Sequence, residues 1–201
     1  MKKRIKLGMV GGGDDSFIGN IHRIASRIDD KYILVAGALS STEDKSIVSG
    51  KKLGLKKERN YKNFFEMASN EKNFDDGIEA VSIVTPNNVH YEVAKKFLMQ
   101  GIHVICDKPL TSNIEDAKDL YNISKKSKSL FMITHNYTGY PMVRQARKMI
   151  ENGDLGEIRV IQVEYPQDWL SKENKTKQAL WRTNPIESGP GGCIGDIGTH
   201  A

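Results

Sequence analysis

Five short, almost wholly apolar runs constrain this chain more than any other feature: Ile5–Val10, Ile33–Ala38, Ala80–Val84, Ile102–Cys106 and Leu130–Ile133. A strand with one wet face alternates apolar and polar residues, whereas an unbroken apolar run belongs to a strand covered on both faces, the habit of parallel sheets. Between the runs lie helical stripes. Val93, Ala94, Phe97 and Leu98 form one; Ile114, Ala117, Leu120 and Tyr121 form another. Strand and helix in repetition predict an α/β chain built on a doubly wound parallel sheet. Capping-box spacing, Ser40 with Glu43 and Ser112 with Glu115, predicts where two of the helices begin.

After Ile133 the pattern changes. Val143, Ala146 and Ile150 predict a further helix, Gly153 and Gly156 punctuate, and Glu157–Tyr165 alternates apolar and polar residues. That alternation predicts an antiparallel strand with one covered face. The expected division is 1–137 for the first domain and 138–201 for the start of a second. About fifty residues cannot supply a sheet and its covering layer, so the second domain is expected to be unfinished at Ala201.

Composition narrows the functional classes. A hydrophobic content of 38% in 201 residues suffices for a core, and no apolar run approaches the roughly 20 residues that span a bilayer. Met1-Lys2-Lys3-Arg4 leads straight into a strand-like run rather than a signal-peptide core, so a cytoplasmic location without membrane partners is expected. The net charge of +5 resides in pairs such as Lys51-Lys52 and Lys125-Lys126 scattered among acids, which mark solvated helix faces and argue against nucleic acid as a partner. Cys106 and Cys193 have no CxxC spacing; buried free thiols are expected, with neither disulfide nor metal site.

The chemistry gathers at strand ends. Cys106-Asp107-Lys108-Pro109-Leu110 closes an apolar run, and Pro109 stops the strand, placing the Lys108 ammonium where open parallel sheets bind ligands. The first strand ends in Val10-Gly11-Gly12-Gly13, followed by Asp14-Asp15-Ser16-Phe17-Ile18-Gly19 and a helix-like stretch, Asn20–Ile28. Glycines there, Gly11 and Gly13 above all, would let backbone amides approach a diphosphate favoured by the helix N-terminus, with Ser16, Phe17 and Ile18 of the same loop as further candidates. The last glycine follows Gly13 by six residues instead of the three of GxGxxG, and Asp14 and Asp15 would repel a phosphate unless turned away. Where NAD sites commonly place an acid against the ribose, this chain has Leu39-Ser40-Ser41-Thr42, so Ser40 and Ser41 are the candidates and NAD and NADP both stay open.

Thr85, Pro86 and Asn87, at the end of Ala80–Val84, would make a second wall; His90 reads first as a satisfied helix residue. Asp196 and His200 stand four apart in Gly191-Gly192-Cys193-Ile194-Gly195-Asp196-Ile197-Gly198-Thr199-His200 and would share a helix face, where an imidazole with a carboxylate neighbour can relay an alcohol proton.

In order and separation, the glycine loop, Thr85-Pro86-Asn87 with His90, Asp107-Lys108-Pro109 and Gly191–His200 resemble the Gfo/Idh/MocA oxidoreductases, a family that includes glucose-fructose oxidoreductase and inositol dehydrogenase. The resemblance implies a Rossmann domain binding NAD or NADP and a second α/β domain with a mostly antiparallel sheet. It maps the family's lysine, beside nicotinamide and substrate, onto Lys108, with Asp107 one methylene shorter than the family's glutamate. It makes His200 the proton acceptor and Asp196 its partner, and brings His90, Asn136, Tyr137, Trp181 and Arg182 toward cofactor or substrate. Hydride transfer between a nicotinamide and a secondary alcohol of a sugar, cyclitol or related polyol is the implied reaction. A non-catalytic dinucleotide-binding module is the alternative. Family members continue past this helix, so the chain as given is expected to bind dinucleotide with little turnover, and a longer form to be a homo-oligomer.

Overall fold

The computed structural model describes residues 3–201, which fall into two compact units divided after Ile133. In the first, β1 (Ile5–Gly11) lies in a parallel sheet between β2 (Tyr32–Ala38) and β3 (Ala80–Val84). β4 (His103–Cys106) and β5 (Phe131–Ile133) extend the β3 side, giving the order β2-β1-β3-β4-β5. A parallel bridge, Gly37 with Asn60, adds the rudiment of a strand outside β2. The connections diverge between β1 and β3, and that switch point is where a doubly wound sheet opens a crevice at its carboxyl edge. Gly11 lies opposite Val84 there, and Ile83 opposite Cys106.

Helices α1 (Phe17–Ile28), α2 (Glu43–Lys52), α3 (Phe64–Glu71), α4 (His90–Met99) and α5 (Ile114–Lys126) alternate with the strands. Every residue of β3 is buried, and Val93, Ala94, Phe97 and Leu98 of α4 pack with Val81, Ile83, Val104 and Leu120 in one core. That is the stripe expected from spacing.

The caps differ from expectation. α2 starts after Thr42 with no side-chain cap bond, and Glu43 pairs with Lys62 at 2.9 Å instead of reaching back toward Ser40. α5 is capped by Asn113, whose side chain accepts from the Asp116 amide at 2.8 Å, one residue beyond the expected Ser112. The last strand also departs from the pattern: β5 ends the sheet order, and Met132 is 52% exposed. Cys106 is buried as expected, but Cys193 is exposed.

A charged cluster is sealed beneath the sheet's β2 side. Arg59 donates to both carboxylate oxygens of Glu71, at 2.6 and 2.5 Å, and Glu71 also accepts from the Tyr61 hydroxyl at 2.7 Å and the Ile78 amide at 3.1 Å. Burial, then the Glu71 contact, pushes the Tyr61 phenol up. Arg59 and Tyr61 flank Asn60, so the network anchors the segment that bridges to β2.

The second unit, Thr134–Ala201, holds α6 (Pro141–Glu151), α7 (Lys177–Arg182), α8 (Pro185–Ser188) and α9 (Gly192–Asp196). The expected strand at Glu157–Tyr165 does not form, and among the described residues this unit contains no strand and no antiparallel sheet. Alternation makes a strand only where main-chain groups meet a neighbouring strand. Here Val160 and Ile161 are 83% and 78% exposed, and no ladder pairs the segment.

Arg59→Met should cost about 3–5 kcal/mol in urea unfolding because it strands the Glu71 carboxylate, and Arg59→Met with Glu71→Met should recover much of that loss. Equal destabilisation by the single and double variants would show that the ion pair is not what anchors this corner.

Candidate active site

The crevice is built from the turn after β1 upward. Gly11 and Gly12 have φ of 75° and 70°, the left-handed region that glycine enters without strain. A Cβ on Gly11 would sit 2.8 Å from the Val84 carbonyl oxygen. A Cβ on Gly19 would sit 2.6 Å from the Gly12 carbonyl oxygen, and closer still to the Gly12 Cα. The turn therefore rests backbone to backbone on the opening of α1. The late glycine makes the approach that a shorter loop would make three residues earlier.

Ser16 caps α1, its hydroxyl accepting from the Gly19 amide at 3.1 Å, so Phe17 and Ile18 lie in the first turn, whose amides lack helical partners. Arg23, only 7% exposed, reaches back from α1 and donates to the Gly12 and Gly13 carbonyls. Asp14 does not face a phosphate site: it pairs with Lys52 at 2.6 Å and accepts from Ser49 at 3.0 Å. Lys52, then Ser49, holds its carboxyl below the usual range. At the end of β2, Ser40 is half-buried and Ser41 exposed; the Ser40 hydroxyl accepts from the Thr42 amide at 3.4 Å.

The second wall starts where β3 ends. Thr85-Pro86 leads to Asn87, which is buried and opens the turn into α4. Next to it β4 releases Asp107, whose amide donates to Ile83 O at 2.9 Å, then Lys108 and Pro109, joined by a cis peptide bond. His90 does not line the surface: it is 1% exposed, with Nδ1 2.7 Å from Pro109 O and Nε2 3.0 Å from Thr85 O. Beneath the crevice on the α1 side, His22 Nδ1 meets the Ser82 hydroxyl at 2.8 Å. Burial lowers the pKa of both histidines; Asp107 opposes the shift at each, and the two carbonyl contacts also oppose it at His90.

In the second unit Asp196 and His200 do not share a continuous helix. α9 ends at Asp196, and Gly198–His200 form a separate 3-10 turn. Gly191, Gly192, Gly195 and Gly198 crowd this stretch, and glycine weakens helix interiors. Asp196 lies 3.6 Å from the Arg182 Nε, and Arg182 stacks over Trp181 and Trp169, 5.1 and 5.5 Å from the ring centres. His200 packs edge-on against Tyr137, 4.6 Å between ring centres, with His135 6.2 Å away. Tyr137 and Tyr165 share a short hydroxyl contact, which first among causes pushes the Tyr137 phenol up to about 12. Asn136 reaches the Tyr140 hydroxyl at 3.5 Å.

The first unit thus brings together Gly11, Gly13, Ser16, Phe17 and Ile18 on one side of the switch point and Thr85, Pro86, Asn87, Asp107 and Lys108 on the other. Sequence reasoning passed over Gly12, Gly19, Arg23 and His22 as site residues. Gly19 had a signal in its place after a long loop; a buried arginine or histidine on a helix has none. Among the described residues no cluster of three or more His, Cys, Asp or Glu is placed for a metal ion, and no helix is long and apolar enough to cross a membrane. The site suits a dinucleotide on structural grounds: the glycine turn clears space that a Cβ would fill, and α1 opens beside it.

A family model described as an oxidoreductase family with an NAD-binding Rossmann fold matches residues 5–148, and a Gfo/Idh/MocA C-terminal domain model matches 143–201. The chain belongs to the Gfo/Idh/MocA family. It is 36% identical to an uncharacterized oxidoreductase, YfiI, from Bacillus subtilis, with 100% of this chain and 52% of that protein covered. It is 31% identical to a levoglucosan dehydrogenase from Pseudarthrobacter phenanthrenivorans, covering 98% of this chain and 49% of the relative. An inositol dehydrogenase homolog from Azotobacter vinelandii, solved with NAD+, superposes with a TM-score of 0.94 at 36% identity, covering 100% of this chain and 52% of the other. The chain spans about half the length of the curated relatives it matches.

Gly19→Ala should force the turn off α1, costing about 1–3 kcal/mol of stability and weakening dinucleotide binding more than tenfold, as read by urea unfolding and titration. Unchanged affinity would show that the Gly12–Gly19 contact does not shape the site.

The histidines set a pH dependence. Both have folded-state pKa values below the ordinary 6.5, so on acidification the unfolded chain takes up protons first. Stability is then fully present above about pH 6.5 and declines as pH falls toward the folded-state values, by up to about 1.4 kcal/mol per pH unit for each histidine. Replacing His22 by Asn should flatten the curve between about pH 5 and 6.5; an unaltered slope would rule His22 out as a source.

Proposed function

We propose that this chain supplies the dinucleotide site and the catalytic lysine of an NAD(P)-dependent dehydrogenase acting on a secondary alcohol of a sugar, cyclitol or related polyol. The observation that carries the reading is the switch-point crevice: a glycine turn seated on the opening of α1 on one side, and Lys108 at the end of β4 on the other. A diphosphate at the turn would be held by backbone amides and by the positive end of α1. The polyol class is favoured by the relatives, among them a levoglucosan dehydrogenase and an inositol dehydrogenase homolog solved with NADH and myo-inositol.

When bound, the nicotinamide supplies the hydride acceptor. The chain's residues do the rest. Lys108 steadies the charge that grows on the substrate oxygen as its proton leaves, a task suited to a cation in a partly dehydrated crevice. His200 receives that proton, its ring set against Tyr137. Asp196, placed at the end of α9 near Arg182, supports the acid–base pair electrostatically. The serines at the end of β2 leave the ribose side without a carboxylate, so NAD and NADP both suit the site.

Fluorescence titration of the chain with NADH and NADPH should give saturable binding to at least one of them; absence of both overturns the reading. In polyol oxidation assays on a form with measurable turnover, Lys108→Ala should lower kcat about 10²-fold while dinucleotide affinity stays within about threefold. A change confined to binding would instead favour a non-catalytic dinucleotide sensor.

A further inference from the structure

Two loops carry the second wall of the crevice, and one side chain spans them. The Thr85 loop leaves β3 and the Lys108-Pro109 loop leaves β4; beyond the Asp107 amide bond to Ile83 O, the sheet ladder no longer joins them. His90, the first residue of α4, sits between with one ring nitrogen on each loop's carbonyl, 2.7 Å to Pro109 and 3.0 Å to Thr85. Sealed from water, it can bind no ligand itself. We propose that His90 is a positioning residue: by bridging the two carbonyls it fixes the Lys108 loop where the nicotinamide half of the dinucleotide is received. The proposal rests on the dinucleotide reading above.

The chemistry assigns the two arms different work. A neutral imidazole has one N–H to give, and burial keeps this ring neutral against the pull of its carbonyl partners. In the Nδ1–H tautomer the ring donates across the shorter contact to Pro109 O and ties down the lysine loop, while Nε2 faces Thr85 O at 3.0 Å without a proton to share. Side chains with the donor at one site or the other separate these arms. An asparagine amide nitrogen falls near the Nδ1 position, a glutamine amide nitrogen near Nε2, and leucine offers neither.

The test compares NADH with ADP-ribose, which keeps the diphosphate and lacks the nicotinamide. His90→Leu and His90→Gln should weaken NADH about tenfold and ADP-ribose less than about twofold, whereas His90→Asn should hold NADH near the parent value. Thermal melts identify the folded variants, and the Asn–Gln contrast decides the matter if the leucine variant does not fold. The proposal is overturned by unchanged NADH affinity in His90→Leu or His90→Gln, by parallel losses of both ligands in folded variants, or by rescue with Gln in place of Asn. If the parent chain binds neither ligand, the dinucleotide reading itself fails and takes this proposal with it.

Discussion

Everything at the crevice depends on how closely the turn after β1 lies on α1. Gly12 and Gly19 meet backbone to backbone, with no room for a Cβ on Gly19. That contact brings the opening amides of α1 to the carboxyl edge of the sheet. It also lets Arg23, one turn further along α1, reach the Gly12 and Gly13 carbonyls from inside. A trans peptide points its N–H opposite its C=O. With the Gly12 carbonyl turned to Arg23, the Gly13 N–H faces away from it, and an anion arriving there meets a donor already oriented.

The same device recurs on the second wall. Arg23 captures carbonyls of the glycine turn, and His90 lies between the carbonyls of the Thr85 and Pro109 loops and donates to that of Pro109. Each comes from the helix that follows a loop it touches, both are buried, and neither is placed to touch a ligand. Loops past the end of a ladder have polar main-chain groups that burial would penalise. A long polar side chain arriving from below satisfies those groups and orders the loop together. Asp14 completes the arrangement by pairing with Lys52, which removes an acid from the mouth of the anion site.

How far this was legible in the sequence follows from what each feature needs. The strands at Ile5–Val10 and Ala80–Val84 were readable because burial on both faces leaves an unbroken apolar run, and the structure buries all of β3. The stripe Val93, Ala94, Phe97 and Leu98 was readable because its period is a property of one helix. Caps were less so: Ser112 and Asn113 are adjacent, both can cap, and a one-residue choice between them depends on how the chain enters the helix. Glu157–Tyr165 has the alternation of a strand, but pairing belongs to the neighbour as much as to the segment, and no neighbour is present among the described residues.

At the candidate site the boundary falls between residues that face a ligand and residues that hold those residues. Lys108, Gly11 and Asn87 stand at strand ends, so a chain position and a topology rule located them together. Arg23 and His22 stand mid-helix, on a face that periodicity marks only as inward. Nothing in a one-dimensional pattern separates an arginine that covers a carbonyl from one that reaches solvent, because the distinction is made by Met9, Gly12 and Gly13 on another element. His90 shows the consequence most clearly. Its place after Thr85-Pro86-Asn87 read first as that of a satisfied helix residue and the family resemblance brought it toward the cofactor, while its burial and its two carbonyl neighbours make it a brace for the residues that face the crevice. A substitution there would therefore act on Lys108 through the Pro109 main chain, at one remove from any bound molecule.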